Sequence, residues 1–165
     1  MGVVALLCLI VRLKKREAKL PLWASIIRMV FTANIAITFL ITAAYLAPSV
    51  GAQWWRLYIN ANLFNHLLTP LWAIFTLLVF EPKSELRFKH TFFALIPMGL
   101  YGIFYFIRAY SHVDASGQID LYYDIYGLAR FGVGMTILFL FGFLLLAWGI
   151  AALFYLINAH KKGNS

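Results

Sequence analysis

The run FGVGMTILFLFGFLLLAWGIAALFYLIN, residues 131–158, contains 28 residues and no charged side chain. A helix rises 1.5 Å per residue and the hydrocarbon core of a bilayer is about 30 Å thick, so roughly 20 apolar residues suffice to cross it. Three further apolar runs reach this length: residues 23–47, 60–80 and 91–110. The sequence therefore predicts an all-α fold, a polytopic transmembrane helical bundle.

The composition of the whole chain predicts the same fold class. Of its 165 residues, 63% are hydrophobic and 12% are charged, whereas soluble domains average roughly 45–50% and 25%. A soluble domain of this size could not bury so much apolar surface, because its accessible area stays large relative to its volume. The single cysteine, Cys8, offers neither an internal disulfide nor a metal motif. We therefore expect no metal site and no disulfide scaffold.

A shorter apolar run precedes these spans. Residues 3–13 number only 11 and are too few to cross a bilayer as a complete helix. The basic triplet Lys14, Lys15 and Arg16 follows directly. We interpret the run as a short first span or a half-span anchor, which gives about five spans. With no Pro/Ser-rich linker in the chain, residues 1–165 are predicted to form a single integral-membrane helical domain.

The distribution of basic residues predicts how the bundle is oriented. Ten Lys and Arg residues lie in residues 12–19, residues 81–90 and the C-terminal tail, against three in the opposite connections. Cytoplasmic loops carry such an excess of Lys and Arg, so we expect a multi-pass protein of the cell membrane with the N-terminus outside and the C-terminus cytoplasmic. The basic residues behind the net charge of +8 then set the topology and contact anionic membrane lipids. We expect no nucleic-acid partner.

Polar side chains within the spans indicate a candidate site, because polar groups are costly in hydrocarbon and usually face the interior of a bundle. Asn34, Thr38 and Thr42 follow i, i+4, i+8 spacing in the second span and share one face. Counting 1.5 Å per residue from the outer end of each span places Thr38 about 13 Å deep, Thr42 about 8 Å and His66 about 9 Å. Either threonine could meet His66, whereas Thr32, at about 22 Å, lies too deep.

A threonine hydroxyl beside a neutral histidine is the minimum apparatus for nucleophilic acyl transfer. The histidine takes the hydroxyl proton, and a hydrogen-bond donor stabilises the oxyanion. Asn62 or Asn65, which closely precede His66 in the sequence, could supply that donor. Pro70 also frees the carbonyl of His66, because proline cannot donate to the residue four positions earlier. The alternative is that these groups make structural hydrogen bonds only, as threonine does with the carbonyl four residues before it.

The fourth span carries a polar and aromatic stripe towards its outer end. Pro97, Tyr101, Tyr105 and Arg108 recur every three or four residues, which places them on one helical face. The connection that follows, residues 111–130, is rich in Asp and Tyr and is long enough to fold back over a bundle. We therefore expect a polar pocket in the outer half of the bundle, with Tyr101, Tyr105 and Arg108 as binding residues beside Asn62 and Asn65.

Several motifs resemble a known family. They are AITF at 36–39, LAP at 46–48, NLFNHLLTP at 62–70, PMGLY at 97–101 and YYDIY at 122–126. They resemble small bacterial membrane proteins that are similar to the animal family of androgen-induced and androgen-dependent TFPI-regulating proteins. Those animal proteins are membrane threonine hydrolases that cleave fatty-acid esters of hydroxy fatty acids. For this chain we expect no cofactor.

The resemblance implies roles for three residues. By position, His66 corresponds to the family histidine, and Thr38 is our choice of nucleophile, with Thr32 as the second choice. The function it implies is a Thr/His lipid-ester hydrolase whose substrate is a fatty-acid ester. The alternative is a non-enzymatic membrane protein that binds lipid or another small ligand, or a subunit of a membrane complex.

Overall fold

The computed structural model describes residue 10 and residues 20–80, 85–113, 119–120 and 122–163. The short apolar run at residues 3–13 lies outside the described residues, apart from Ile10. The described chain is mostly helical, and the extended pairing within it is an isolated bridge between Val113 and Ile119. The prediction of an all-α fold is confirmed.

Four helices dominate the structure: α1 at Leu22–Ser49, α2 at Ala61–Val79, α3 at Phe88–Tyr110 and α4 at Val133–His160. The last helix continues in helical geometry to Gly163. Each is long and apolar enough to cross a bilayer, and each begins and ends within one turn of a predicted span. The architecture is compatible with a multi-pass integral membrane protein.

Helix α1 occupies the centre of the bundle and contacts α2, the first turns of α3, and α4. Small residues on its buried faces, including Ala24, Ala33 and Ala36, let the neighbouring backbones approach closely, which is how helices commonly pack in membranes. One core cluster combines residues from all four helices: Met29, Ala33, Leu77, Ala94, Ala151 and Phe154. The outward faces carry exposed Trp, Phe, Leu and Ile side chains, as lipid contact requires.

Two of the helices contain a π-helical turn. The turns lie at Thr42–Leu46 in α1 and Phe64–Leu68 in α2, and in each a backbone N–H donates to the carbonyl five residues earlier. Pro48 and Pro70 each follow directly after that donor. Since proline has no N–H and its ring clashes with the carbonyl four residues before it, the wider turn accommodates that carbonyl. Such π turns are frequent at functional sites.

The connection between α1 and α2 is a 3₁₀ helix at Gly51–Tyr58. It exposes Trp54 and Trp55, and the guanidinium of Arg56 lies 5.6 Å from the centre of the Trp55 ring. Tryptophan and a cation at the end of a span are typical of the membrane–water interface. This segment is therefore well suited to lie along the bilayer surface.

Candidate functional site

A cavity of about 330 Å³ lies between the helices. Most of its wall is apolar, and its polar side chains come from α1, α2, α3 and the connection between α3 and α4. The residues that line it are Phe31, Asn34, Ile37, Thr38, Ile41, Thr42, Leu46, His66, Pro97, Met98, Tyr101, Tyr105, Tyr126, Leu140 and Phe143. The face of α1 that carries Asn34, Thr38 and Thr42 thus borders the cavity, as its spacing predicts.

The two π turns meet at the wall of this cavity. The Oγ1 atom of Thr42 lies 3.2 Å from Nδ1 of His66, in agreement with the similar depths that the sequence gives these residues. Thr42 is only 1% exposed, and His66 is half-buried. When the imidazole proton is on Nε2, the Thr42 hydroxyl donates to Nδ1. That tautomer places a general base within reach of a hydroxyl proton.

The two other candidate threonines lie elsewhere on α1. Thr38 borders the same cavity, but the hydroxyl that hydrogen-bonds His66 is that of Thr42. Thr32 is fully buried and is not part of the cavity wall. Its hydroxyl has no hydrogen-bond partner within the part of the chain that the structure describes. Thr42 is therefore the candidate threonine whose hydroxyl meets the His66 imidazole.

The three asparagines differ in their surroundings. Asn34 donates one amide hydrogen to the carbonyl of Val30, at 2.8 Å, and the other to that of Ala94, at 3.1 Å. It therefore ties α1 to α3 and has no amide hydrogen left for a ligand. Asn62 and Asn65 have exposed side chains that do not line the cavity.

Three tyrosines, Tyr101, Tyr105 and Tyr126, form what we call the tyrosine roof of the cavity. The hydroxyl oxygens of Tyr101 and Tyr126 lie 2.8 Å apart, so one phenol donates to the other and the second keeps its own hydrogen for another acceptor. Burial, and then the hydrogen bond with Tyr101, raise the pKa of Tyr126. Its phenol consequently stays neutral and remains a hydrogen-bond donor.

The tyrosine roof is held in place by the connection that leads to α4. Tyr105 donates a hydrogen bond to the carboxylate of Asp124, and Tyr45 donates to the backbone carbonyl of Tyr126 at 3.2 Å. The sequence did not identify Tyr126 or Asp124 as site residues. The signals available were the Asp- and Tyr-rich composition of this connection and the YYDIY motif at 122–126. The connection has no helical period that would orient its side chains.

Arg108, predicted as a binding residue, lies outside the cavity wall. Its guanidinium carbon is 5.9 Å from the ring centre of Tyr122 and 5.6 Å from that of Tyr123. The ring of His112 stacks on Tyr123 with the centres 3.6 Å apart. Arg108 therefore holds the connection between α3 and α4 against the end of α3, while Tyr101 and Tyr105 are the predicted binding residues that border the cavity.

Asp124 is expected to contribute strongly to stability. It is 3% exposed and accepts hydrogen bonds from Tyr105 and from the backbone N–H groups of Leu128 and Ala129, both at 3.0 Å. Asp124→Ala leaves these buried donors without an acceptor, so we expect a loss of about 3 kcal/mol in the free energy of unfolding. Tyr105→Phe removes one of the donors and should cost about 1 kcal/mol.

Denaturation of the purified protein in detergent, followed by circular dichroism, measures both variants. If Asp124 anchors the tyrosine roof, Asp124→Ala should unfold at a clearly lower denaturant concentration than Tyr105→Phe. Equal unfolding midpoints for the wild type and Asp124→Ala would contradict it.

Comparison of the chain with family models, curated proteins and solved structures finds no match. Within the described ranges, His, Cys, Asp and Glu side chains form no group of three that could hold a metal ion. The cavity, its hydroxyl–imidazole pair and its tyrosine roof are therefore the basis for assigning a function.

Proposed function

We propose that this protein is a membrane lipid-ester hydrolase in which Thr42 is the nucleophile and His66 is its general base. The observation that carries the proposal is the 3.2 Å separation of Thr42 Oγ1 and His66 Nδ1 at the wall of a mainly apolar cavity. A threonine hydroxyl is a weak nucleophile until a base lies within hydrogen-bond reach. The resemblance to membrane threonine hydrolases supports the same pair of residue types.

The reaction proceeds by acyl transfer in two halves. Thr42 Oγ1 attacks the carbonyl carbon of the ester while its proton moves to His66 Nδ1. The bond from that carbon to the alcohol oxygen breaks, and His66 returns the proton to the departing alcohol. Water then attacks the acyl-threonine and gives a proton to His66, which passes it to Thr42 Oγ1 as the carboxylic acid leaves. Ester and water thus yield an alcohol and a fatty acid.

The oxyanion of each tetrahedral intermediate needs a hydrogen-bond donor. The Tyr101–Tyr126 pair retains one phenolic hydrogen beyond the one it shares, and both tyrosines border the cavity. Tyr105 is committed to Asp124, and Asn62 and Asn65 are exposed outside the cavity wall. The remaining phenolic hydrogen of the Tyr101–Tyr126 pair is therefore the donor that we assign to the oxyanion, with the Thr38 hydroxyl as the other donor at the cavity wall.

The substrate class follows from the lining of the cavity. Eight of its fifteen lining residues are Phe, Ile, Leu, Met or Pro, and most of the lining surface is apolar, while the other seven residues each carry a polar group. Such a lining suits an acyl chain with one ester group, since polar groups in an apolar pocket fix the orientation of a ligand. Hydrolysis of fatty-acid esters by the purified protein in lipid vesicles, with Thr42→Ala as the inactive control, tests the proposal.

One observation favours the non-enzymatic alternative. Thr42 is almost fully buried, which also suits a hydroxyl that only holds α1 against α2, as polar side chains often do between membrane helices. In that case the cavity binds a lipid or a similar small ligand without transforming it. A protein that binds fatty-acid esters tightly but never cleaves them would favour this alternative.

The proposed orientation follows from the positive-inside pattern and has its own test. In a Cys8→Ser background, Ser116→Cys should react with a membrane-impermeant maleimide in intact cells, because it lies in the outer connection. Ser165→Cys should react only after permeabilisation, because the C-terminus is cytoplasmic. Equal labelling of both positions from outside would contradict the five-span topology.

A further inference from the structure

A second hollow lies beside the cavity, on the lipid-facing side of the bundle. It is a groove of about 390 Å³ between α3 and α4, and every side chain that lines it is apolar. Two glycines of α3, Gly99 and Gly102, form part of its wall. A Cβ atom added to Gly102 would lie 3.6 Å from Leu140 Cδ2, so the groove owes part of its depth to the missing side chains.

The groove and the cavity share two side chains. Met98 of α3 and Leu140 of α4 line both, so these two residues separate the groove from the space that contains Thr42 and His66. Methionine has three rotatable bonds and fills irregular gaps. Met98 is therefore the more adaptable of the two side chains that lie between the groove and the cavity.

We propose that the groove is an acyl-chain subsite through which a membrane lipid enters the cavity sideways from the bilayer, between Met98 and Leu140. The groove lies on helices that are long enough to cross a bilayer, and its rim residues Ile103 and Ile107 are exposed by 61% and 58%. Hydrocarbon chains are the medium that such a face contacts, and an apolar groove offers them burial without desolvating a polar group.

The subsite rests on the proposed function, since it is the route by which a lipid ester would reach Thr42. A chain in the groove could extend past Met98 towards the tyrosine roof, where an ester carbonyl would meet the hydroxyl–imidazole pair. The position of the lipid itself does not depend on catalysis, so the subsite can be tested in a protein that cannot hydrolyse.

The test uses the purified full chain in phosphatidylcholine vesicles that contain a phospholipid with a diazirine in its acyl chain. After irradiation, mass spectrometry maps the lipid adducts. We expect them to concentrate on the groove residues of α3 and α4, above the level on equally exposed apolar residues such as Trp72 of α2. Thr42→Ala should give the same map, which separates the subsite from the hydrolysis.

A matched pair of substitutions sharpens the test. Gly99→Leu fills the groove, and its Cβ atom fits because the nearest atom, Leu144 Cδ2, is 3.8 Å away. Gly149→Leu adds the same side chain to an exposed position on α4 with open space around it. We expect Gly99→Leu to lower groove adducts and the hydrolysis of a long-chain ester about tenfold, through lost apolar contact, and Gly149→Leu to lower neither.

Several outcomes would overturn the inference. They are adducts spread evenly over all exposed apolar faces, groove adducts that survive Gly99→Leu, and cross-linking of the groove to a second copy of the chain. The adduct map of the wild type tests the subsite even if the Gly99→Leu variant fails to reach the membrane. Groove adducts together with full hydrolysis by Thr42→Ala would leave the subsite standing and refute the proposed nucleophile.

Discussion

Replacing Thr42 with alanine is expected to lower kcat/KM for fatty-acid ester hydrolysis by a factor of about 10³ or more. The substitution removes the hydroxyl that lies 3.2 Å from His66 Nδ1, and no acyl-enzyme can form without it. Folding should survive, because one hydrogen bond between membrane helices is worth only about 0.6–2 kcal/mol. Release of fatty acid from an ester in lipid vesicles measures the loss.

Two variants on the same helix provide controls for this prediction. Thr42→Ser keeps a hydroxyl on the same Cβ atom and should retain much of the activity. Thr38→Ala removes the other hydroxyl that α1 presents to the cavity and should leave kcat within about tenfold of the wild type, since it takes no covalent part. A larger loss of activity in Thr38→Ala than in Thr42→Ala would show that the nucleophile is Thr38, as the sequence predicted.

Replacing His66 with alanine is expected to cost about as much as replacing Thr42. A general base and its nucleophile act as a unit, so the effects of removing them do not add. The double variant Thr42→Ala/His66→Ala should therefore hydrolyse esters little more slowly than either single variant. Steady-state kinetics on the three proteins, each checked for normal membrane insertion, measures this coupling.

His66→Gln distinguishes catalysis from structure. Glutamine can hydrogen-bond the Thr42 hydroxyl, but its amide has no lone pair basic enough to take the proton. We expect this variant to keep the stability of the wild type and to lose its hydrolysis. Retained hydrolysis in His66→Gln would mean that His66 only positions the threonine, and losses that multiply in the double variant would mean that the two residues act independently.

The helices themselves could be predicted closely from the sequence, because each apolar run reaches the length that a bilayer imposes. The structure places α1 to α4 on the four long runs, with ends that differ by less than one turn. The 3.6-residue period also put Asn34, Thr38 and Thr42 on the face of α1 that borders the cavity. Length and periodicity are local properties, so a single sequence determines them well.

The choice among the candidate side chains could not be predicted in the same way. Depth along the helix did not distinguish Thr38 from Thr42 as the partner of His66. The contact with His66 depends on how α1 is rotated about its own axis relative to α2. The π turns that begin at Thr42 and surround His66 change that rotation, and they arise from Pro48 and Pro70 together with packing. Asn62 and Asn65 illustrate the same limit, since their closeness to His66 in the sequence was clear but the direction in which they face was not.

Of the tyrosine roof, Tyr101 and Tyr105 were predicted from their helical spacing, but Tyr126 was not. Tyr126 borders the cavity because Asp124 accepts hydrogen bonds from Tyr105, Leu128 and Ala129 and fixes the path of the connection. These contacts join residues whose separation in the chain follows no period. Composition indicated that the connection was rich in Tyr and Asp, but only the packed structure identifies which of these side chains meet the cavity.

The most direct test of the Thr42–His66 pair is to identify the residue that a fluorophosphonate probe modifies. The probe's phosphorus is attacked by an activated hydroxyl and loses fluoride, which leaves a stable ester on the nucleophile. We predict that mass spectrometry of the labelled wild type locates the adduct on Thr42 and that His66→Ala carries none. An adduct on Thr38 or Thr32, or ester hydrolysis that continues while Thr42 stays unmodified, would contradict the assignment.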